Sequence, residues 1–225
     1  MSQFSAQVFP VIGSDGRKIA LSPLFQLDTG NLAAVELPFD NLHVQDDARL
    51  LSLSEVLRTS GAIFATGFVC APMGIQELAT PRLPEIMAAL CRSMGTEPAS
   101  LCLFFPDTLC LKLGLPALEQ LLRFKRLGFR LGLDIENLNC MPGLFIEKLP
   151  VDVLRLSTVD TLALPEDPEA ACAVLDFIRY AGNLLMLPAA KGLSSSGQMN
   201  MLRDMGVRIG QGPLFSSTSL TDATS

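Results

Sequence analysis

The second half of the chain alternates two hydrophobic rhythms. "LPALEQLLRFKRLG" (115–128) spaces its leucines and Phe124 at helical intervals, which predicts an amphipathic helix stopped by Gly128. "FRLGLDI" (129–135) is then nearly continuous in apolar residues, as a strand covered on both faces would be. A second such run, Val151 to Leu156, follows shortly after. The order recurs elsewhere: "LPEIMAALCRSMG" (83–95) is helical and leads into "LCLFF" (101–105). "PEDPEAACAVLDFIRYAG" (165–182) offers Asp167 as N-cap, Pro168 at the first helical position and Gly182 past the end, before the strand-like "NLLMLPAA". "SSSGQMNMLRDMG" (194–206) is another helix ending in glycine, ahead of "VRIGQG". Repeated units of helix, glycine and short apolar strand predict parallel strands covered by helices.

The beginning is built differently. In "QVFPVIGSDGRKIALSPLFQL" (7–27) two strand-like runs flank Ser14-Asp15-Gly16, a hairpin signal. An antiparallel hairpin ahead of repeating α/β units suggests a barrel with one reversed strand. Periodicity alone leaves a closed barrel and an open sheet both open. No linker interrupts the pattern, so one domain over 1–225 is expected, with a polar tail from about residue 217.

Composition narrows the class. With 225 residues, 49% of them hydrophobic and 18% charged, the chain can bury a full core and is not a disordered segment. The net charge of −6, without a Lys/Arg cluster, argues against nucleic acid as a partner. Six scattered cysteines with no CxxC pair read as buried free thiols in a reducing compartment. The first residues lack the basic and apolar segments of a secretory signal, and the apolar runs are broken short of a membrane span. The expectation is a cytoplasmic protein with no membrane contact.

Candidate chemistry centres on Asp134, where a strand delivers a carboxylate and Ile135, Glu136 and Asn137 follow. No GxSxG, Walker-type, Rossmann or zinc signature accompanies it. His43, the single histidine, falls in the polar stretch "DNLHVQDD" and reads as a surface residue. The Ser194–Ser196 run is explained by helix capping.

"GFRLGLDIENLNCMPGLFIEKLPVDVLRLS" (128–157) and "AAKGLSSSGQMNMLRDMGVRIGQGPLFSS" (189–217) carry a resemblance. They resemble the EAL domain, the family of cyclic-di-GMP phosphodiesterases, and the "LPVDVL" and "GQGPLFSS" stretches are its most specific parts. The resemblance implies a modified TIM-type (β/α)8 barrel, class α/β, with its first strand antiparallel. It also implies two divalent cations held at the C-terminal ends of the strands, which activate a water against a phosphodiester. Carried over by position, Asp134 stands at the first aspartate of the family's Asp-Asp pair and Ile135 at the second. Arg155 stands at the catalytic lysine, Ser157 at the aspartate after it, Lys191 and Ser194 at two glutamates, and Gln211 is kept. "VCAPMGIQEL" puts Pro72 at the family's asparagine. "LCLFFPDT" puts Phe104 at a ligand glutamate and Asp107 at the second acid. The Glu-Ala-Leu motif has two registers: the preferred one puts Ser22 at its glutamate, the later one Glu36. The arginine that follows in the family becomes Gln26 or Asp40.

On this reading no catalytic residue, metal or cofactor remains. Asp134, Arg155 and Lys191 should meet at one rim, either as an internal ion pair or triad, which is preferred, or as an anion site; Gln211 reads as a backbone-bonding residue at a turn and joins them only as a remnant of the site or on the anion reading. The function expected is a catalytically inactive, regulatory protein-interaction module in bacterial signalling. Its partner is an unidentified protein, with a homodimer through "CMPGLFI" (140–146) also expected unless Leu144, Phe145 and Ile146 belong to a core-facing helix. A metal-independent receptor for cyclic-di-GMP or another nucleotide is the first alternative, and a residual phosphodiesterase the second.

Overall fold

The computed structural model describes residues 11–12, 18–19, 21–37, 67–141, 143–164 and 166–218. Eight strands close into a barrel. They are β3 (Ser22–Gln26), β4 (Leu32–Glu36), β5 (Phe68–Pro72), β6 (Leu101–Pro106), β7 (Arg130–Ile135), β8 (Val153–Leu156), β9 (Leu187–Ala190) and β10 (Ile209–Gly210), with β10 closing on β3. Only β3 runs against its neighbours; it is antiparallel to both β4 and β10, while the remaining pairs are parallel. This is the barrel with a reversed first strand. The hairpin that supplies the reversal is Asp28-Thr29-Gly30-Asn31, between β3 and β4. The earlier Ser14-Asp15-Gly16 signal lies outside the described residues; on either side of it, β1 (Val11–Ile12) and β2 (Lys18–Ile19) form a short antiparallel pair outside the barrel.

Helices cover the parallel strands. In chain order they are α1 (Ile75–Ala79), α2 (Leu83–Ser93), α3 (Asp107–Leu113), α4 (Leu115–Arg126), α5 (Gly143–Ile146), α6 (Thr158–Ala163), α7 (Pro168–Asn183) and α8 (Ser196–Met205). Their ends follow the local chemistry. Asp167 caps α7 by accepting from Glu169 and Ala170 N–H. Ser195 and Gln198 form a capping box on α8, and Gly206 closes it in the left-handed region. Gly182 departs from its expected place: it lies inside α7, and the chain instead turns out at Leu185, which takes a positive φ of 59° and is 94% exposed. The large apolar core lies between barrel and helices, and a smaller cluster with Leu24, Cys70, Cys102 and Ile209 plugs the barrel interior.

Two details of the "LPVD" turn and the apolar stretch before it escaped the sequence. The Asp152 carboxylate accepts from Leu131 N–H at 2.8 Å and pairs with Lys125, so this aspartate ties the start of β8 to β7 and α4. In 140–146 the side chains divide: Ile146 is fully buried, whereas Leu144 is 81% exposed. The expectation of buried thiols needs correction. Cys70, Cys91 and Cys102 are buried, but Cys140 and Cys172 are exposed, on a turn and on the outer face of α7. Among the described residues no helix is long and apolar enough to cross a membrane.

Candidate functional site

The parallel register of the barrel builds the site. Asp134 on β7 is aligned with Arg155 on β8, so both side chains leave the same face and meet at the C-terminal end of the barrel. Arg155 Nε donates to Asp134 Oδ1 at 2.6 Å and Nη2 donates to Oδ2 at 3.1 Å. The opposite edge of the guanidinium faces Glu36, at the end of β4: Nη1 donates to Oε2 and Nη2 to Oε1, both at 3.0 Å. One arginine therefore grips two carboxylates, each through two hydrogen bonds. Lys191, just past β9, adds a bond from Nζ to Asp134 Oδ2 at 2.8 Å and lies 4.0 Å from Glu36 Oε1.

Two glycines make the packing possible. Phe104 lies under the guanidinium, its ring centroid 3.7 Å from the Arg155 carbon, a cation–π stack. Phe104 is aligned with Gly132, and a Cβ there would lie 2.3 Å from the ring, so only glycine leaves room for Phe104. Gly192, with φ of 77°, lets the chain after Lys191 pass Thr158, whose Cα would be 2.9 Å from any Cβ.

The electrostatics follow from burial and pairing. Arg155 is 0% exposed and Glu36 6%. Burial alone would push the Asp134 carboxyl up, but the Arg155 and Lys191 charges beside it outweigh that and hold it below the ordinary aspartate value. Burial likewise opposes the charge on Arg155, and the Asp134 and Glu36 carboxylates overcome it and fix the guanidinium as a cation. Asp107 moves the other way. It is buried at the start of α3, and desolvation raises its carboxyl although Glu136 and Thr108 N–H donate to it. Burial pushes the Cys102 thiol up to about 12, so it is no nucleophile.

A cavity of about 600 Å³ opens above this network. Its polar floor includes Glu36, Asp134, Lys191 and Gln211, and Pro72 and Phe104 contribute to an apolar wall. The side-chain Oε1 of Gln211 is buried without a hydrogen-bond partner among the described residues. The structure thus brings Asp134, Arg155, Lys191 and Gln211 together and adds Glu36. The preferred register through Ser22 is corrected. Ser22 lies at the start of the reversed strand, opposite Glu36, and it is the Glu36 carboxylate that reaches the network. The signal that could have chosen Glu36 is the Asp28-Thr29-Gly30-Asn31 hairpin directly before β4. Asp40 and His43 lie outside the described residues. Ser157 caps α6 and bonds Asp160, and Ser194 bonds Gln198, so both serve local structure.

A second concavity of about 440 Å³ lies beside the mouth, between the turn after β7, α6 and the start of α7. Glu136, Asp160, Asp167, Glu169 and Val159 line it.

The family model of the EAL domain matches residues 52–218. The chain belongs to the EAL domain family. Its fold is shared with solved EAL structures. One is PaMucR phosphodiesterase in complex with c-di-GMP, with a TM-score of 0.77 and 18% identity over 88% of this chain and 94% of that one. Another is the EAL domain of Mycobacterium smegmatis DcpA, with a TM-score of 0.79 and 18% identity over 88% of each chain. A calcium and cyclic-di-GMP complex of Klebsiella pneumoniae BlrP1 matches with a TM-score of 0.78 and 14% identity, over 87% of this chain and 54% of that one. An uncharacterized protein of Azorhizobium caulinodans is 27% identical over 139 residues, which is 62% of this chain and 19% of that protein's length.

The EAL family implies divalent cations at this mouth, and the described residues do not fit them. A hard cation asks for about six oxygen ligands, several of them carboxylate. Glu36 and Asp134 are both engaged by a guanidinium that cannot deprotonate. Pro72, Phe104 and Ile135 carry no donor side chain. Among the described residues no group of three or more His, Cys, Asp or Glu side chains is placed to hold a metal ion.

Proposed function

We propose that this EAL-family chain is a non-catalytic member of the cyclic-di-GMP signalling family and acts by binding another protein. The observation that supports it best is the double grip of Arg155 on Glu36 and Asp134. Phosphodiester hydrolysis of this kind needs a cation to activate water and a base to receive its proton. Here both inherited carboxylates are neutralised from inside. Arg155 is wholly buried beneath them, and an arginine is a poor base. Fold alone does not confer activity, so shared architecture with phosphodiesterases leaves this reading intact.

Metal-independent nucleotide binding is the second reading, and one feature favours it. Lys191 keeps 30% of its side chain exposed at the cavity, where it could meet an anion. A single cation against a wall with Pro72, Met73 and Phe104 is a weak match for two phosphates. The test is incubation of the purified chain with cyclic-di-GMP and Mg²⁺ or Mn²⁺, with products separated by chromatography, beside a calorimetric titration without metal. No product and no binding heat are expected. Turnover would remove the proposal, and binding heat without turnover would select the nucleotide receptor.

A further inference from the structure

We infer that the Arg155 guanidinium is a resident substitute for a free cation, and that removing it turns Glu36 and Asp134 into a divalent-cation site. The inference rests on the non-catalytic reading above and gives its chemical cause.

Two carboxylates converge on one buried point. Such a pair is costly unless positive charge lies between them. The structure supplies that charge on a side chain. Four hydrogen bonds run from the guanidinium to the four carboxylate oxygens. The third side of the same point is Phe104, at 3.7 Å from the guanidinium carbon. A phenyl ring has no lone pair for a metal ion, but its face attracts a planar cation. Gly132 provides the space for that ring. Lys191 then balances the remaining negative charge from the cavity side. A divalent ion would neutralise the same two carboxylates by itself, so one metal ion and the Arg155–Lys191 pair are alternative solutions to one electrostatic problem. They exclude each other, because the oxygens that a metal would use already accept from arginine.

The test uses the full chain, with Mn²⁺ as the probe. Wild type is expected to melt at the same temperature in EDTA and in Mn²⁺, and to leave the electron paramagnetic signal of free Mn²⁺ unchanged. Arg155→Ala opens space at the shared point and frees every carboxylate oxygen except Asp134 Oδ2, which Lys191 still holds; Mn²⁺ would take the freed oxygens and complete its shell with water. It is expected to melt lower in EDTA, to recover part of that loss on adding Mn²⁺, and to deplete the free Mn²⁺ signal. Dilute guanidinium chloride should also raise its melting temperature, the reverse of that salt's effect on wild type. E36Q/R155A should lose the Mn²⁺ response. If R155A does not fold, Arg155→Gln, which keeps two N–H donors for the carboxylates, takes its place. A folded R155A or R155Q that is indifferent to Mn²⁺ overturns the inference, as does Mn²⁺ binding by wild type that E36Q abolishes. Hydrolysis by wild type would instead strike the non-catalytic reading, so the two failures are distinguishable.

Discussion

The barrel mouth and the groove beside α6 both present carboxylates to a concavity, yet they satisfy them in opposite ways. At the mouth, Glu36 is 6% exposed, and it and Asp134 are held by Arg155 and Lys191. In the groove, Glu136, Asp167 and Glu169 are exposed, and none of the three pairs with a cation among the described residues. Water does for the second group what arginine does for the first. The difference lies in dielectric surroundings, not in residue type. A charge removed from water must be matched by a partner of fixed geometry, whereas a solvated one needs none. A substitution of the same kind should therefore have very different consequences in the two places.

Breaking the mouth's internal match should give the largest effect. Arg155→Met leaves the buried Glu36 and part-buried Asp134 carboxylates facing one another with only Lys191 nearby. Loss of one member of a buried pair costs about 3–5 kcal/mol. Urea denaturation of R155M should show a loss of that order. Removing the whole match should cost far less: E36Q/D134N/R155M leaves only the Lys191 charge, on a side chain 30% exposed to water, and such replacements are often neutral. If the triple variant is as unstable as R155M, the charge argument is wrong and packing over Phe104 is what matters.

Acid offers a milder way to weaken the same contacts. The folded-state pKa of Asp134 is depressed, because its two cations outweigh its burial. Its contribution to stability is thus complete above the unfolded aspartate value of about 3.9 and is lost as pH falls through the lower folded value. Asp107 has the opposite sign. Its pKa is raised by burial, so the folded state takes up its proton first and stability from this group increases as pH falls through that range. Stability curves for D107N against wild type should separate the two: without Asp107 the acid loss should be steeper. A shallower loss would mean that the Asp107 carboxyl is not raised in the folded state.

The sequence carried the architecture further than it carried the site. The alternation of helix, glycine and apolar strand located β6, β7, β9 and their helices, because strands buried on both faces leave a continuous apolar record. Asp134, Arg155 and Lys191 could be placed at one rim because residues at the C-terminal ends of neighbouring strands are close in any such barrel. Glu36 was harder. It lies 119 positions from Arg155, and no local pattern records a pairing that arises only when β10 closes on β3. The early Ser14-Asp15-Gly16 signal also drew the register to the wrong hairpin, since turn chemistry marks a reversal but not which reversal enters the barrel. Phe104 illustrates the remaining gap. Read singly it is an apolar residue at a strand end; only the alignment with Gly132 and the stack on Arg155 show what its ring does there.

The smallest effect is expected in the groove. Asp167 is set aside, because it caps α7 and its loss would report on the helix. Glu136 and Glu169 are the cleaner pair. Glu169 lies in the first turn of α7, where a negative charge is favourable by about 0.3–1 kcal/mol, so E169Q should destabilise slightly. Glu136 pushes the Asp107 carboxyl up by repulsion, so E136Q should relieve a small unfavourable contact. The two changes oppose one another. The double variant E136Q/E169Q should remain within about 0.5 kcal/mol of wild type in urea denaturation, as surface substitutions usually do. Added salt should shrink even that difference, since exposed charges are screened over roughly 10 Å at 0.1 M. A loss comparable to that of R155M would show that the groove's carboxylates are not carried by water, and the contrast between the two sites would fail.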